Sequence, residues 1–571
     1  MLLATVLGLL SAVISVGAWW VFRNLFEMTG LYHWVQSHWF VVPLGLGFAV
    51  ALYMSIRGRR ETDFYNDALP DLVEEYHFGI QRSPSHRWGF RSLISFCGSF
   101  FGEIFGFEGG VLEGLTAVVQ YSISHFPQRF HQAFRNDSEF RQTMVAASLS
   151  GTFAVVFNAP FAGALFALEI LMVSGARIRA ATFASAFASY GVARFFMFWL
   201  NLERISIVPV LFKDLVPLVL DPAHTFALSA FAALMAMVLG LATLGYGRWL
   251  SYVQSKIDSM KWSSVRLALC AASIMAVMAV LTPEAFADPA RIWQDMALSQ
   301  VSSSEALVAF FARAVLLSIA LVGIGSSGLV TPLIFLASLL GYSAGTAIDS
   351  AWALPLALSC SVAALAGGFS APLAAIALAL ELTHDGLMLW LAMISVLGAL
   401  FSTQFFKLPP LLSLLLKRRG IKLMNGRCAN VLASLEMRDA MVRDFGVISE
   451  TATIGELQRV ASSSPYSVLG VVSSAGDFRG LLSLDQLPNN IDLKGINTTD
   501  LLNRDAVSVK PNDPLEQAFP LLTTVPAIAV LDDKNQLLGL VFETGVLARY
   551  QREIGRRALS HYASRRLGKL R

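Results

Sequence analysis

Charge is what this chain has least of. Only 15% of its 571 residues are Asp, Glu, Lys or Arg, where a soluble protein carries roughly 25%. With 55% of residues hydrophobic and a mean hydropathy of +0.58 along the whole length, no water-soluble surface can be built from so few charges, and a soluble enzyme is excluded. The formal net charge of +3 is too small to draw in nucleic acid. Cysteine is scarce as well: Cys97, Cys270, Cys360 and Cys428 stand far apart without C-x-x-C or Cys/His spacing, which argues against a disulfide framework and a zinc site. The nine histidines likewise lack metal-ligand spacing. The first apolar run has no basic leader of the kind a signal peptide carries, so it reads as a retained helix.

What the sequence does have is a series of long apolar runs, at 2–22, 38–56, 224–245, 265–281, 306–323, 331–348, 353–366 and 387–406. These predict a polytopic, all-α membrane body. Near residue 416 the composition changes: Lys417, Arg418, Arg419 and Lys422 open about 150 residues of ordinary apolar and polar alternation, read as a soluble α+β tail. Basic residues in short loops, Arg57, Arg59 and Arg60 and then the 417–422 cluster, place both ends of the body on the cytoplasmic side. Trp19, Trp20 and Trp39 read as an interfacial belt. Several apolar segments fall short of the roughly 20 residues needed to cross, and Gly or Pro interrupts them at 106–110, 158–163, 323–332 and 367–372. Broken helices are costly in lipid unless their free ends line a site.

Two of these interruptions repeat each other. NAPFAGALFALEI at 158–170 and SAPLAAIALALEL at 370–382 match at an offset of 212 positions, pairing Pro160 with Pro372 and Glu169 with Glu381. Proline at a helix start followed nine positions later by a glutamate indicates a duplicated body. In such a body half-helix N-termini meet at mid-membrane, and their unpaired N–H groups attract an anion. Anion passage follows from the residues alone. Glu169 and Glu381, a symmetric pair, read as groups that hold helix ends or interfaces rather than carry ions.

These segments resemble the CLC family of chloride channels and chloride/proton exchangers over residues 5–415. The residues that carry the likeness are NAP with its helix ending in Glu169, GFEGG at 106–110 beside the family's G-(R/K)-E-G-P, GLVTP at 328–332 beside G-I-F-A-P, and APL to Glu381. The resemblance implies two inverted halves, about 1–210 and 211–415, with broken half-helices, and one ion path in each subunit of a homodimer. It makes Glu108 the protonatable gate, a carboxylate that lies across the anion path when ionised and swings out when protonated. An isolated acid between glycines in an apolar stretch is a functional candidate on its own terms. Phe107 stands where the family has a basic residue, and Arg91 is expected to restore some positive potential. Glu103 and Glu113, five positions either side of Glu108, are candidate supporting groups.

For anion binding the resemblance points to Asp67, Leu329, Val330 and Leu412. Asp67 lies in NDALP at 66–70, whose Pro70 is 38 positions before the gate, and occupies the family's serine position. An ionised carboxylate there repels a halide, so it is protonated, turned away as a helix N-cap, a tethered plug, or a sign that the substrate is not chloride. Leu329 and Val330 match the backbone donors of the second half. Leu412 in KLPPLLSLL replaces a tyrosine, which leaves a wider or more apolar inner mouth. The family's exchangers relay protons through an inner glutamate, here Ile170, so the likeness leans to a gated channel or weakly coupled transporter. The alternatives are a chloride/proton or other anion/proton antiporter, fluoride included, with an atypical filter at Asp67, and a transport-inactive membrane sensor acting through its tail.

The tail resembles tandem CBS domains at 436–550, reached through a linker at 416–435 and followed by a basic segment at 551–571 that could rest on anionic lipid. Both repeats read as short helix, strand, strand, helix, with turns at 475–477 and 532–535 followed by Gly480 and Gly539. Such modules can take an adenine nucleotide. The ribose pattern is disturbed here, with Gln486 after Ser483 in one repeat and Phe542 and Gly545 in the other, and a dimer-stabilising role is the alternative reading.

Overall fold

The computed structural model describes residues 2–28, 38, 40–57, 68–78, 85–100, 106–125, 138–173, 176–200, 222–260, 262–282, 289–325, 328–407, 409–418, 423–424, 427–428, 435–484, 502, 506–522, 525–550 and 552. Two units emerge, Met1–Gly420 and Ile421–Arg571. In the first, the helices are α1 (Leu2–Met28), α2 (Val41–Arg57), α3 (Ala68–Phe78), α4 (Ser85–Phe100), α5 (Phe107–His125), α6 (Ser138–Val156), α7 (Pro160–Leu171), α8 (Ala176–Trp199) and α9 (Pro222–Met260). They continue as α10 (Ser264–Leu281), α11 (Pro289–Ala297), α12 (Ser303–Gly323), α13 (Val330–Ile348), α14 (Ala353–Phe369), α15 (Pro372–Thr383), α16 (Gly386–Phe405) and α17 (Leu411–Arg418). Among the described residues seven helices are long and apolar enough to cross a membrane, while α7 and α15 are too short.

Local chemistry explains the helix ends. Ser302 and Glu305 form a reciprocal capping box at the start of α12, and the Asp385 carboxylate accepts from the N–H groups of Leu387 and Met388 to start α16. Between helices, serine hydroxyls donate across the contact: Ser185 to the Ala147 carbonyl at 2.7 Å, Ser189 to Gly151 at 2.8 Å and Ser150 to Thr182 at 2.6 Å. Lipid gives apolar helices little reason to associate, so small residues and such bonds hold α6 against α8. Gly8 on α1 permits the same closeness, since a methyl group there would collide with the Ser185 carbonyl.

The duplication is written into the backbone. Helices α7 and α15 each have 12 residues and begin with proline after an alanine cap. The residues before each cap, Asn158 and Ser370, are left-handed at φ 54° and 57°, and the residues that end the helices, Met172 and His384, are left-handed at φ 49° and 54°. All four positions obey the 212-residue offset.

In the second unit a short hairpin, β1 (Leu423–Met424) with β2 (Arg427–Cys428), precedes α18 (Met437–Ala440), β3 (Val447–Ser449), α19 (Ile454–Ser463), β4 (Val468–Val472) and β5 (Phe478–Ser483). Then come β6 (Ser508–Val509), α20 (Ala518–Leu522), β7 (Ile528–Leu531) and β8 (Leu537–Val541). Two sheets of order β3-β4-β5 and β6-β7-β8 each join a parallel to an antiparallel pair. Gly480 lies opposite Val471 and Gly539 opposite Val530, with a register shift directly after each, so the repeat holds at the level of single residues. The sequence reading missed the short edge strands β3 and β6, which have too few residues to show alternation. The repeats interlock: Val442 and Leu540 exchange backbone bonds, and Tyr466 stacks on Phe542 at 4.6 Å.

Candidate functional site

The site begins with two glycines. Gly106, just before α5, donates its N–H to the Gly328 carbonyl at 2.8 Å, and Gly328 takes φ +102° just before α13. A side chain at Gly328 would strike the Gly106 backbone, so only glycine lets the two helix starts meet this closely. Leu329 caps α13 in helical geometry without a side-chain bond of its own. The first N–H groups of α13 therefore need an outside acceptor.

Glu108, in the first turn of α5, supplies it. Its carboxylate accepts from the Thr331 N–H at 2.9 Å and from the Thr331 hydroxyl at 2.6 Å, and the residue is 2% exposed. An acid from the first half thus sits on the positive end of a second-half helix. Sequence reasoning named Leu329 and Val330, both buried at the same helix start, but missed Thr331 one position further on. The signal was available, since a threonine at the second position of a helix presents an N–H and a hydroxyl side by side.

Phe107 turns into an aromatic cluster, 5.2 Å from Phe96 and 6.2 Å edge-on from Trp19. Trp19 is therefore part of the packing beside Glu108, beyond the interfacial role expected for it, while Trp20 is exposed and Trp39 lies outside the described residues. Asp67 and Glu103 also lie outside them. Helix α3 begins at Ala68, one residue after Asp67, and α17, carrying the buried Leu412, packs against α3. Ile170 is buried near the end of α7. An apolar cavity lined by Phe153, Phe157, Phe166, Val330, Ile334 and Leu378, among others, adjoins the first residue of α13.

The other two interrupted helices are capped in the same manner. Glu381 accepts from the N–H groups of Phe161 and Ala162 at 2.9 and 2.8 Å, and Glu169 accepts from those of Leu373 and Ala374 at 2.9 Å each. Each glutamate closes the helix start of the opposite half. Glu108 differs from this pair in having glycines at 106, 109 and 110 around it.

A helical body of paired halves, with seven helices among the described residues long and apolar enough to cross a membrane, defines a polytopic membrane protein. The sequence matches the family described as Voltage gated chloride channel over residues 45–404, and a CBS domain over residues 499–551. The chain belongs to that family. In fold it is similar to a slow cyanobacterial Cl-/H+ antiporter, at TM-score 0.60 and 18% identity over 73% of this chain and 97% of that one. It is also similar to a eukaryotic CLC transporter, at TM-score 0.56 and 14% identity over 95% and 98% of the two chains. A CLC-type fluoride/proton antiporter matches at TM-score 0.54 and 17% identity over 71% and 95%. Among curated proteins, a homoserine O-acetyltransferase from Methanohalobium evestigatum is 27% identical over 114 residues, 20% of this chain. The chain spans only 23% of that relative's length.

Proposed function

We propose that the protein moves chloride or another small anion across a membrane as a gated channel or weakly coupled transporter, with Glu108 as the protonatable gate. The observation that carries this reading is the Glu108 carboxylate seated on Thr331 at the start of α13, where a permeant anion would find the same donors. Leu329 and Val330 line that helix start, the apolar cavity beside Val330 and Leu412 at the inner mouth resist a charged plug from within, and Ile170 offers no group to carry a proton inward. The protein is not an enzyme, forms a homodimer and keeps its CBS tail in the cytoplasm, where the tail either takes an adenine nucleotide or serves to stabilise the dimer. Measuring chloride and proton flux together in proteoliposomes tests the reading. Chloride movement with little or no proton movement supports it, strict proton coupling favours the antiporter named by two of the structural relatives, and no flux of either ion leaves the sensor.

Two substitutions refine the site. Thr331→Val removes the hydroxyl donor but keeps the N–H, weakening the seat of Glu108 by about 1–2 kcal/mol, so anion flux at neutral pH should rise about tenfold in the same liposomes. Asp67→Ser removes a carboxylate whose repulsion of a halide at 4 Å is up to about 4 kcal/mol at an effective dielectric of 20. Halide affinity measured by calorimetry should then rise by at least about tenfold. Unchanged affinity would mean that Asp67 points away from the ion and caps α3.

A further inference from the structure

The two repeats of the tail differ at the place where each would meet a nucleotide. Aligned on Gly480 and Gly539, Ser483 of the first repeat corresponds to Phe542 of the second, and Tyr466 corresponds to Val525. Phe542 directly follows β8 and opens the helical stretch 543–550, its carbonyl accepting the Val546 N–H at 3.0 Å. The ring packs against a core to which both repeats contribute, Val468 and Leu481 from the first and Ala527, Ala529 and Leu540 from the second. There it lies flat on Tyr466 of the first repeat, with ring centroids 4.6 Å apart and planes 11° from parallel. Tyr466 is held in turn by Ser464, whose hydroxyl accepts the Tyr466 N–H at 3.3 Å and donates to the Tyr466 carbonyl at 3.1 Å.

We propose that this stack is a built-in plug: Phe542 fills the second repeat's cleft in place of an adenine nucleotide and clamps the two repeats together through Tyr466. The ribose pattern wants Ser or Thr three positions after the glycine and Asp six after it, which in this repeat are Phe542 and Gly545. A phenylalanine offers no hydrogen bond to a sugar or phosphate, and no side-chain cap to the helix start it occupies. A base slotted between the two rings would need them about twice as far apart as they stand, which strips Phe542 from the shared core. Gly545 closes the cleft from the other side, since a Cβ there would come within 3.0 Å of the Ala440 carbonyl oxygen on α18. No aspartate fits at that position without pushing the two segments apart. Exposed Glu543, in the first turn of the helical stretch, puts negative charge where phosphates would seek free N–H groups.

The backbone keeps the contact closed. The N–H groups of Met437 and Arg438 donate to the carbonyls of Asp513 and Pro511 at 2.9 and 3.0 Å, and that of Phe478 donates to Asn535 at 3.0 Å. Each of these bonds crosses from one repeat to the other, as does the Val442 and Leu540 pair. Parting the rings far enough to admit a base therefore means parting the repeats. In the first repeat the corresponding position keeps the Ser483 hydroxyl, while Asp485 and Gln486 lie outside the described residues, so the plug belongs to the second repeat.

Photolabelling of the full-length protein in detergent micelles with 8-azido-ATP, followed by peptide mapping, tests the plug, and limited trypsin digestion tests the clamp. Label confined to the first repeat beside Ser483, or no label that excess ATP competes away, supports the proposal. Phe542→Ala should speed cutting at Arg459 and Arg479 by about tenfold or more, because removing a packed aromatic ring loosens the repeats. Phe542→Tyr, which keeps a ring on Tyr466, should be cut at close to the parent's rate. If Phe542→Ala does not fold, Tyr466→Ala removes the other, partly exposed ring and should speed cutting the same way. ATP-competed label in the parent on 464–467 or 540–546 overturns the proposal, and so does a folded Phe542→Ala or Tyr466→Ala protein cut no faster than its parent. The inference does not rest on the anion gate: a failed plug leaves the Glu108 reading standing, and a failed gate leaves the plug.

Discussion

Glu108→Gln is expected to leave anion flux high and nearly flat between pH 4 and 8, where the parent protein should close as the pH rises. The amide matches the carboxylate in size, so α5, Phe107 and the glycine contact between Gly106 and Gly328 are undisturbed. What changes is the strength of the plug. Hydrogen bonds to an ionised group are worth about 1.5–3 kcal/mol against about 1 for neutral ones, and the attraction of a carboxylate to a helix start adds about 0.3–1 kcal/mol more. Over the two bonds to Thr331, the seated state loses about 2–4 kcal/mol, a shift of roughly 30- to 1,000-fold towards the vacated site. With no proton left to bind, the pH response disappears as well. Stopped-flow or electrode measurement of chloride efflux from liposomes reads both effects, and a folded variant with the parent's flux and pH profile would refute the assignment.

The architecture was legible because membranes restrict what a sequence can do. Long apolar runs, too few charges for a wet surface, and a proline-to-glutamate spacing repeated 212 positions apart were enough to anticipate a duplicated helical body. Even the Glu169 and Glu381 pair could be read as holders of helix ends, because symmetry argued against a transport role for both. The lateral contacts were not legible. Arg91, Glu113 and Asp71 belong to three different helices, and nothing in their spacing along the chain announces that one guanidinium serves two acids. Reading Glu113 as a candidate supporting group of Glu108 gave no hint of its partners Arg91 and Ser95. Thr331 was missed for a different reason: the backbone donors matched in GLVTP need no particular side chain, so the motif pointed to Leu329 and Val330 and passed over the hydroxyl one position on. In the tail, turns and glycines gave the repeat, whereas edge strands of two or three residues are fixed by their neighbours and leave almost no trace in their own composition.

Removing a carboxylate from the symmetric pair should cost stability rather than selectivity. In Glu381→Ala the N–H groups of Phe161 and Ala162 lose the acceptor that both now share, while Glu169 continues to cap α15. Two charge-assisted bonds at about 1.5 kcal/mol each, near the low end because the groups are only partly buried, give a loss of about 3 kcal/mol. A lipid surrounding makes unpaired donors still less tolerable. Glu381→Gln keeps one acceptor oxygen and should recover about half of the loss. Because the duplicate site is built the same way, Glu169→Ala should weaken the protein by a similar amount, and unfolding followed by tryptophan fluorescence in detergent micelles would compare the three. A Glu381→Ala protein as stable as its parent would mean that α7 is held by packing against α6, α8 and α15 alone. The two glutamates would then be free for another task, and the division drawn here between fixed caps and a movable one at Glu108 would lose its basis.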